Sequence, residues 1–132
     1  MILVDTSAWI EFLRATGSPT HRRVRALIES ESAMASTDVI VMELLAGGRD
    51  DAHVRALRRL LARCQFIPTA GLDDFERAAA LYRDCRRAGR TIRALNDCLI
   101  AAVAIRTGVL VLHRDQDFDF LAEQSDLDVV SA

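Results

Sequence analysis

Lysine is absent: all 17 basic residues of this 132-residue chain are arginines. Arginine suits bidentate phosphate contacts better than lysine does, but a GC-rich genome produces the same bias and is the simpler explanation. Against 19 acidic residues the formal charge is −2, so the overall basic field of many nucleic-acid binders is missing as well. No apolar run approaches the ~20 residues of a membrane helix. The opening MILVDTSAWIEFL has neither a basic leader nor a signal-peptide cleavage pattern. The expected location is the cytoplasm, off the membrane. Cysteine is sparse: Cys64, Cys85 and Cys98 are odd in number, far apart and without a C-x-x-C pair. That argues against a disulfide framework and against structural zinc, and leaves reduced, packed thiols. His21, His53 and His113 are equally scattered, so a metal here is expected to be bound by oxygen. Internal repeats, linkers and low-complexity segments are also absent.

What the chain does have is enough apolar material, 51% of its residues, to build the core of one compact domain. Ile2, Leu3 and Val4 form a short run ending in Asp5, after which Thr6 or Ser7 can cap a helix carrying Trp9, Ile10 and Leu13. Gly17 breaks that helix, and Ser18-Pro19 opens a second one reaching about Ile28. Ala33 to Ser36 is short but fits a strand. Val39 to Ala46 is apolar on nearly every side, with Glu43 its only charge and the pair Gly47-Gly48 suited to a C-cap. Ala52 to Cys64 reads as an amphipathic helix with a basic rim, and Phe66-Ile67 as a brief strand. Leu72, Phe75, Ala79, Tyr82 and Cys85 keep helical spacing. Ala94 to Ile105 reads as a central helix, apolar all round except for Asn96 and Asp97, and stopped by Gly108. Val109 to Leu112 has the continuous apolar character of a strand buried on both faces. A helix over Phe118 to Glu123 and a strand at Val129-Val130 complete an alternating pattern. The fold class that follows is α/β, with a mainly parallel sheet wrapped by helices.

The informative residues are acids in expensive places. Asp5, Glu43, Asp97 and the pair Asp115/Asp117 lie at the ends of apolar segments or inside them, where a solitary carboxylate costs several kcal/mol to desolvate. A divalent cation that gathers them is the economical explanation. In parallel sheets ligands bind beyond the carboxyl ends of the strands, and Asp5 and Asp115 both follow expected strands. Singly, Asp5 also fits a turn cap, Asp97 a helix-start acid favoured by the macrodipole, and Asp115 and Asp117 ordinary loop residues. Glu43 fits no such role, since it sits between Met42 and Leu44 with no adjacent basic residue.

The order of these motifs is recognisable. Val4-Asp5-Thr6-Ser7, Met42-Glu43-Leu44-Leu45, Asn96-Asp97-Cys98-Leu99-Ile100-Ala101-Ala102 and His113-Arg114-Asp115-Gln116-Asp117-Phe118 together resemble the PIN-domain ribonucleases. The likeness is greatest to the VapC toxins of bacterial VapBC toxin-antitoxin modules. It spans nearly the whole chain and implies one PIN domain over 1–132 with a three-layer architecture. It also implies an acidic metal core of Asp5, Glu43, Asp97 and Asp115, with Asp117 an additional ligand. Thr6, Ser7 and Asn96 would support the site, and Arg93 matches a frequent basic residue one turn before the third acid. Where the family often has Thr or Ser ahead of the last acids, this chain has His113-Arg114.

The implied function is that of a Mg²⁺-dependent endoribonuclease, with Mn²⁺ possible, in which a metal-activated water attacks a phosphodiester and no catalytic His or Ser is required. The implied substrate is structured RNA such as tRNA or rRNA, and the implied partners are a second copy and an inhibitory VapB antitoxin. Arg86, Arg87, Arg90 and Arg93, in the most nearly acid-free arginine-rich stretch, together with Arg114, are the candidates to meet RNA. The alternatives are a non-catalytic interaction module and a DNA-directed PIN-like domain. Phosphate-handling α/β domains of the response-regulator or haloacid-dehalogenase type rely on a lysine that this chain does not have.

Overall fold

The computed structural model describes residues 1–130. Its five strands, β1 (Ile2–Val4), β2 (Met34–Ser36), β3 (Gln65–Phe66), β4 (Leu110–Leu112) and β5 (Val129–Val130), form one sheet in the order β3-β2-β1-β4-β5. Every pairing is parallel, with Leu3 opposite Ala35 on one side and Val111 on the other. Leu3, Val4, Val111 and Leu112 are fully buried, as expected of strands covered on both faces.

Seven helices join the strands: α1 (Thr6–Leu13), α2 (Pro19–Glu29), α3 (Asp38–Ala46), α4 (Asp51–Leu61), α5 (Gly71–Arg87), α6 (Leu95–Thr107) and α7 (Gln116–Glu123). The chain steps from β1 to β2 to β3 in one direction, then crosses back to β4 and on to β5. Right-handed crossovers therefore put α1 to α4 on one face and α5 to α7 on the other. The packing agrees, since α1 lies against α2 and α3, α3 against α4, and α5, α6 and α7 against one another. This is the three-layer arrangement that the resemblance implies, built on the parallel sheet that the alternating pattern predicts.

Local chemistry explains most element ends. The Ser18 side chain accepts the His21 N–H with Pro19 in the first turn of α2, and Gly108 closes α6 at φ +70°. The strand β3 falls one residue earlier than Phe66-Ile67, and α7 begins at Gln116 rather than Phe118 because Asp115 caps it. Two expectations need correction. The helix α3 is not buried all round: Met42 is 57% exposed and Glu43 only half-buried, because the helix turns one side outward beside the sheet's edge. The helix α6 likewise opens with Leu95 at 61% exposure and is enclosed only from Cys98 to Ala104. Gly47 is the C-cap of α3, as the glycine pair suggests, at a right-handed φ of −84°. The glycine that matters is Gly48, where a Cβ would sit 2.4 Å from Val54 Cγ2. Its lack of a side chain lets α4 turn back tightly onto α3.

One strut was not anticipated. Asp74, 1% exposed in α5, accepts from Arg106 Nε and Nη2 at 3.0–3.2 Å and from the Ala70 N–H at 2.7 Å. Arg106 also donates to the Pro68 carbonyl at 2.9 Å, tying the end of α6 to the loop after β3. Burial pushes the Asp74 carboxyl up, but the guanidinium and the Ala70 amide outweigh it and hold the group below its usual range. Arg106→Met is expected to cost about 1–3 kcal/mol by stranding a buried charge, read as a lowered denaturation midpoint at neutral pH. Adding Asp74→Asn to it is expected to recover part of the loss.

Candidate active site

Strand order reverses between β1 and β4, which opens a crevice beyond their carboxyl ends. The Asp5 N–H donates to the Leu112 carbonyl at 3.0 Å and so locks the two strand ends together. Asp5 is 3% exposed. Its Oδ2 caps α1 by accepting the Ser7 amide at 2.9 Å and the Ser7 hydroxyl at 2.5 Å, while its Oδ1 is buried and meets no donor among the described residues. Asp115 does the same for α7, its Oδ1 accepting the Asp117 N–H at 3.0 Å. Both acids are thus helix caps, and capping occupies only one oxygen of each.

Glu43 reaches the crevice from α3, where Thr6 Oγ1 donates to its Oε1 at 2.8 Å. That hydroxyl is the partner which the sequence around Glu43 does not supply. Asp97 enters from the first turn of α6. The structure brings Asp97, Asp115 and Asp117 closest together, with one carboxylate oxygen from each inside a 4.8 Å set. Asp5 and Glu43 stand outside that set but within its electrostatic reach. Burial first, then the charges of Asp5, Asp115, Glu43 and Asp117, push the Asp97 carboxyl up to about 7. Burial also raises Asp5, opposed by the Ser7 contacts and reinforced by Glu43.

Arg93 lies across the outer side of this cluster. Its Nη2 donates to Asp115 Oδ1 at 2.6 Å, and its Nε and backbone N–H donate to Asp117 Oδ2 at 3.1 and 3.0 Å. Among the described residues, neither oxygen of Asp97, nor Asp115 Oδ2, Asp117 Oδ1 or Glu43 Oε2, accepts a protein hydrogen bond. Asp5 Oδ1 is buried with no donor, and beside it a half-buried group of like charges offers many free acceptors, an arrangement that a cation would satisfy. The donor set is all oxygen and suits a hard divalent ion. The residues present therefore fit the metal that the motif order implies.

The supporting residues divide. Ser7 holds the site from two sides, since its hydroxyl also accepts the Arg114 N–H at 2.9 Å and so ties Asp5 to the loop after β4. Asn96 is half-buried and hydrogen-bonds to none of the acids among the described residues. His113 was missed as a contributor. Its Nδ1 accepts the Asp115 N–H at 3.1 Å, its Nε2 lies 3.2 Å from Asp119 Oδ1, and its ring packs on Phe118. It takes over the turn-holding contact of a shorter hydroxyl side chain. The available signal was its place two residues before an acid, the spacing of side-chain-to-amide turns.

The arginines proposed to meet RNA are exposed but lean on their own protein. Arg86 lies over the Tyr82 ring and Arg90 over Phe120, at 5.7 and 4.4 Å from the ring centres. Arg87 pairs with Asp84, and Arg114 Nε is 3.8 Å from Glu11. Only Arg93 touches the acidic cluster, and it does so as the cluster's ion-pair partner.

Comparison with known proteins agrees with this geometry. A PIN domain family model matches residues 2–124. The chain is 47% identical to VapC ribonuclease Mb1587 of Mycobacterium bovis and to Ribonuclease VapC11 of Mycobacterium tuberculosis, over 99% of this chain and 98% of each relative. The fold is similar to VapBC-1 from nontypeable Haemophilus influenzae, with a TM-score of 0.77 at 17% identity and coverage of 99% and 98%. It is also similar to Mycobacterium tuberculosis VapC20, described as a sarcin-ricin loop cleaving toxin, with a TM-score of 0.68 at 22% identity and coverage of 96% and 98%. Motif order, acids gathered at the switch point, and full-length identity to two ribonucleases lead to one conclusion: this chain belongs to the PIN-domain family, among its VapC ribonucleases.

Proposed function

We propose that this chain is the toxin of a type II toxin-antitoxin module, a single PIN domain that cuts structured RNA, tRNA or rRNA, in the cytoplasm. The observation that carries the reading is the convergence of five carboxylates from four separate segments on one crevice, with Asp97 pushed up to about 7 by burial and by the others' charge. No helix of the described residues is long and apolar enough to cross a membrane. Relatives named as ribonucleases share 47% of the sequence.

Asp97, Asp115, Asp117 and the free Oδ1 of Asp5 would hold Mg²⁺, or Mn²⁺ in its stead, with Glu43 at the rim. Such an ion supplies Lewis acidity to the scissile phosphate and lowers the pKa of an attacking water. The chain's own part is to aim the oxygens. Ser7 and Thr6 fix Asp5 and Glu43, His113 fixes the Asp115 loop, and Arg93 offsets part of the negative charge that would otherwise repel a phosphodiester. A VapB-type antitoxin that covers the crevice and a homodimer complete the reading.

Asp5→Asn and Asp97→Asn are each expected to abolish RNA cleavage, by at least 100-fold, while the circular dichroism of the fold is kept. Cleavage at the parent rate by either folded variant would remove the site from consideration. A second expectation concerns pH. Asp97 keeps its proton in the folded, metal-free chain to about pH 7, whereas an unfolded-chain aspartate releases it near 4. The folded state binds more protons across that interval, so metal-free stability is fullest below it and is lost as pH rises through it. Thermal melts of the chelator-treated protein should show Tm falling from about pH 5 to 7.5, with a flatter profile for Asp97→Asn. Mg²⁺ should raise Tm more at about pH 8 than at 5.5, because at the lower pH it competes with the proton. Equal Mg²⁺ shifts at both values would contradict ion binding by these acids.

A further inference from the structure

We propose that the groove between α1, α3 and the start of α4 is a subsite for the sugar-phosphate backbone of the RNA strand as it leaves the acidic crevice. The proposal rests on the ribonuclease reading above. The groove encloses about 380 Å³, within the ~300–1,000 Å³ range of small-ligand sites. Thr6 and Glu43 line it, so it is continuous with the crevice; Arg14, Arg49 and His53 line it too, with Ile10, Leu13 and Leu44 as apolar wall.

Three observations point to a phosphate. First, among the described residues neither the Arg14 nor the Arg49 guanidinium pairs with an acid or donates a hydrogen bond, unlike those of Arg87, Arg93 and Arg114. Exposed and unpaired beside the acidic centre, Arg14 and Arg49 are open to charge-assisted contact with an incoming anion. Second, the turn that carries Arg49 is built rather than loose. Gly48 allows the close approach to Val54, Asp50 caps α4 through the His53 N–H at 2.8 Å, and the Arg49 N–H donates to His53 Nδ1 at 3.1 Å. That last contact puts the neutral imidazole's proton on Nε2 and makes it a donor. Third, the groove's charge is opposite to that of the crevice it adjoins. A polyanion that meets a cation at the acids has its next phosphates beside guanidinium groups. A single strand suits this better than a rigid duplex, because the apolar wall of Leu13 offers a surface for ribose or base.

The test uses Arg14→Gln/Arg49→Gln in the full chain, with Arg58→Gln/Arg59→Gln, exposed in the last turn of α4 away from the groove, as the control. The binding arm measures fluorescence anisotropy of a labelled single-stranded RNA dodecamer on Asp97→Asn carriers of each pair, across a salt series. The groove pair is expected to weaken binding about tenfold and to make the log-log salt slope shallower by about 1.4, some 0.7 for each lost phosphate contact. The control pair should change neither by more than about twofold. In the cleavage arm, KM should rise about tenfold while kcat stays within about twofold. An unchanged Mg²⁺-induced Tm shift in the groove pair would show that it folds and leaves the acids intact. Unaltered affinity and slope in a folded groove pair overturn the proposal. So does unaltered RNA binding accompanied by weakened association with an antitoxin chain, which would give the groove to a protein partner. A parent protein that binds the dodecamer through these arginines but cuts no RNA would instead defeat the ribonuclease reading and keep the groove.

Discussion

Mutual repulsion among carboxylates held out of water is the constraint around which this molecule is organised. Asp97 is surrounded by Asp5, Asp115, Glu43 and Asp117, each of which makes its ionisation harder. A fold selected for stability alone would replace such a group with apolar residues of similar size. The surrounding structure instead maintains it: the carboxyl ends of two neighbouring strands are tied together, two acids double as helix caps, and hydroxyls from Thr6 and Ser7 fix two of the side chains. The core beneath, with Trp9, Ile40, Ile100 and Phe118 fully buried, supplies the rigidity that keeps like charges from drifting apart.

Much of this was legible in the sequence because the relevant signals are local and periodic. A short apolar run ending in an acid specifies both a strand and the position of its acid, as at Asp5 and again at Asp115. The all-apolar stretch from Cys98 to Ala104 specifies a central helix. What the sequence hid depends on which side of an element faces its neighbours. Nothing local shows that Met42 and Leu95 look outward, or that Gly48 serves a close approach to Val54. The Asp74–Arg106 strut, 32 residues apart in the chain, is visible only once α5 and α6 are side by side.

The arginines illustrate the same limit. Counting them along the chain favoured the stretch around Arg86 to Arg93, where acids are scarce. Charge density in sequence is not availability in space. Arg87 and Arg93 are paired with acids, and Arg86 and Arg90 lie over aromatic rings. Several arginines have no partner among the described residues; Arg14 and Arg49 are the two that line a groove with Thr6 and Glu43, and their segments looked unremarkable because each contributes only one.

The hydroxyl of Ser7 bridges Asp5 and the backbone of Arg114, which lies 107 residues beyond Ser7. Asp5 lies near one end of the described residues and Asp115 and Asp117 near the other, so the crevice draws on residues from across the chain. No fragment lacking either segment can therefore assemble the crevice. A cut in any connecting segment that let these ends separate would leave Asp5 capping its helix with the last acids out of reach.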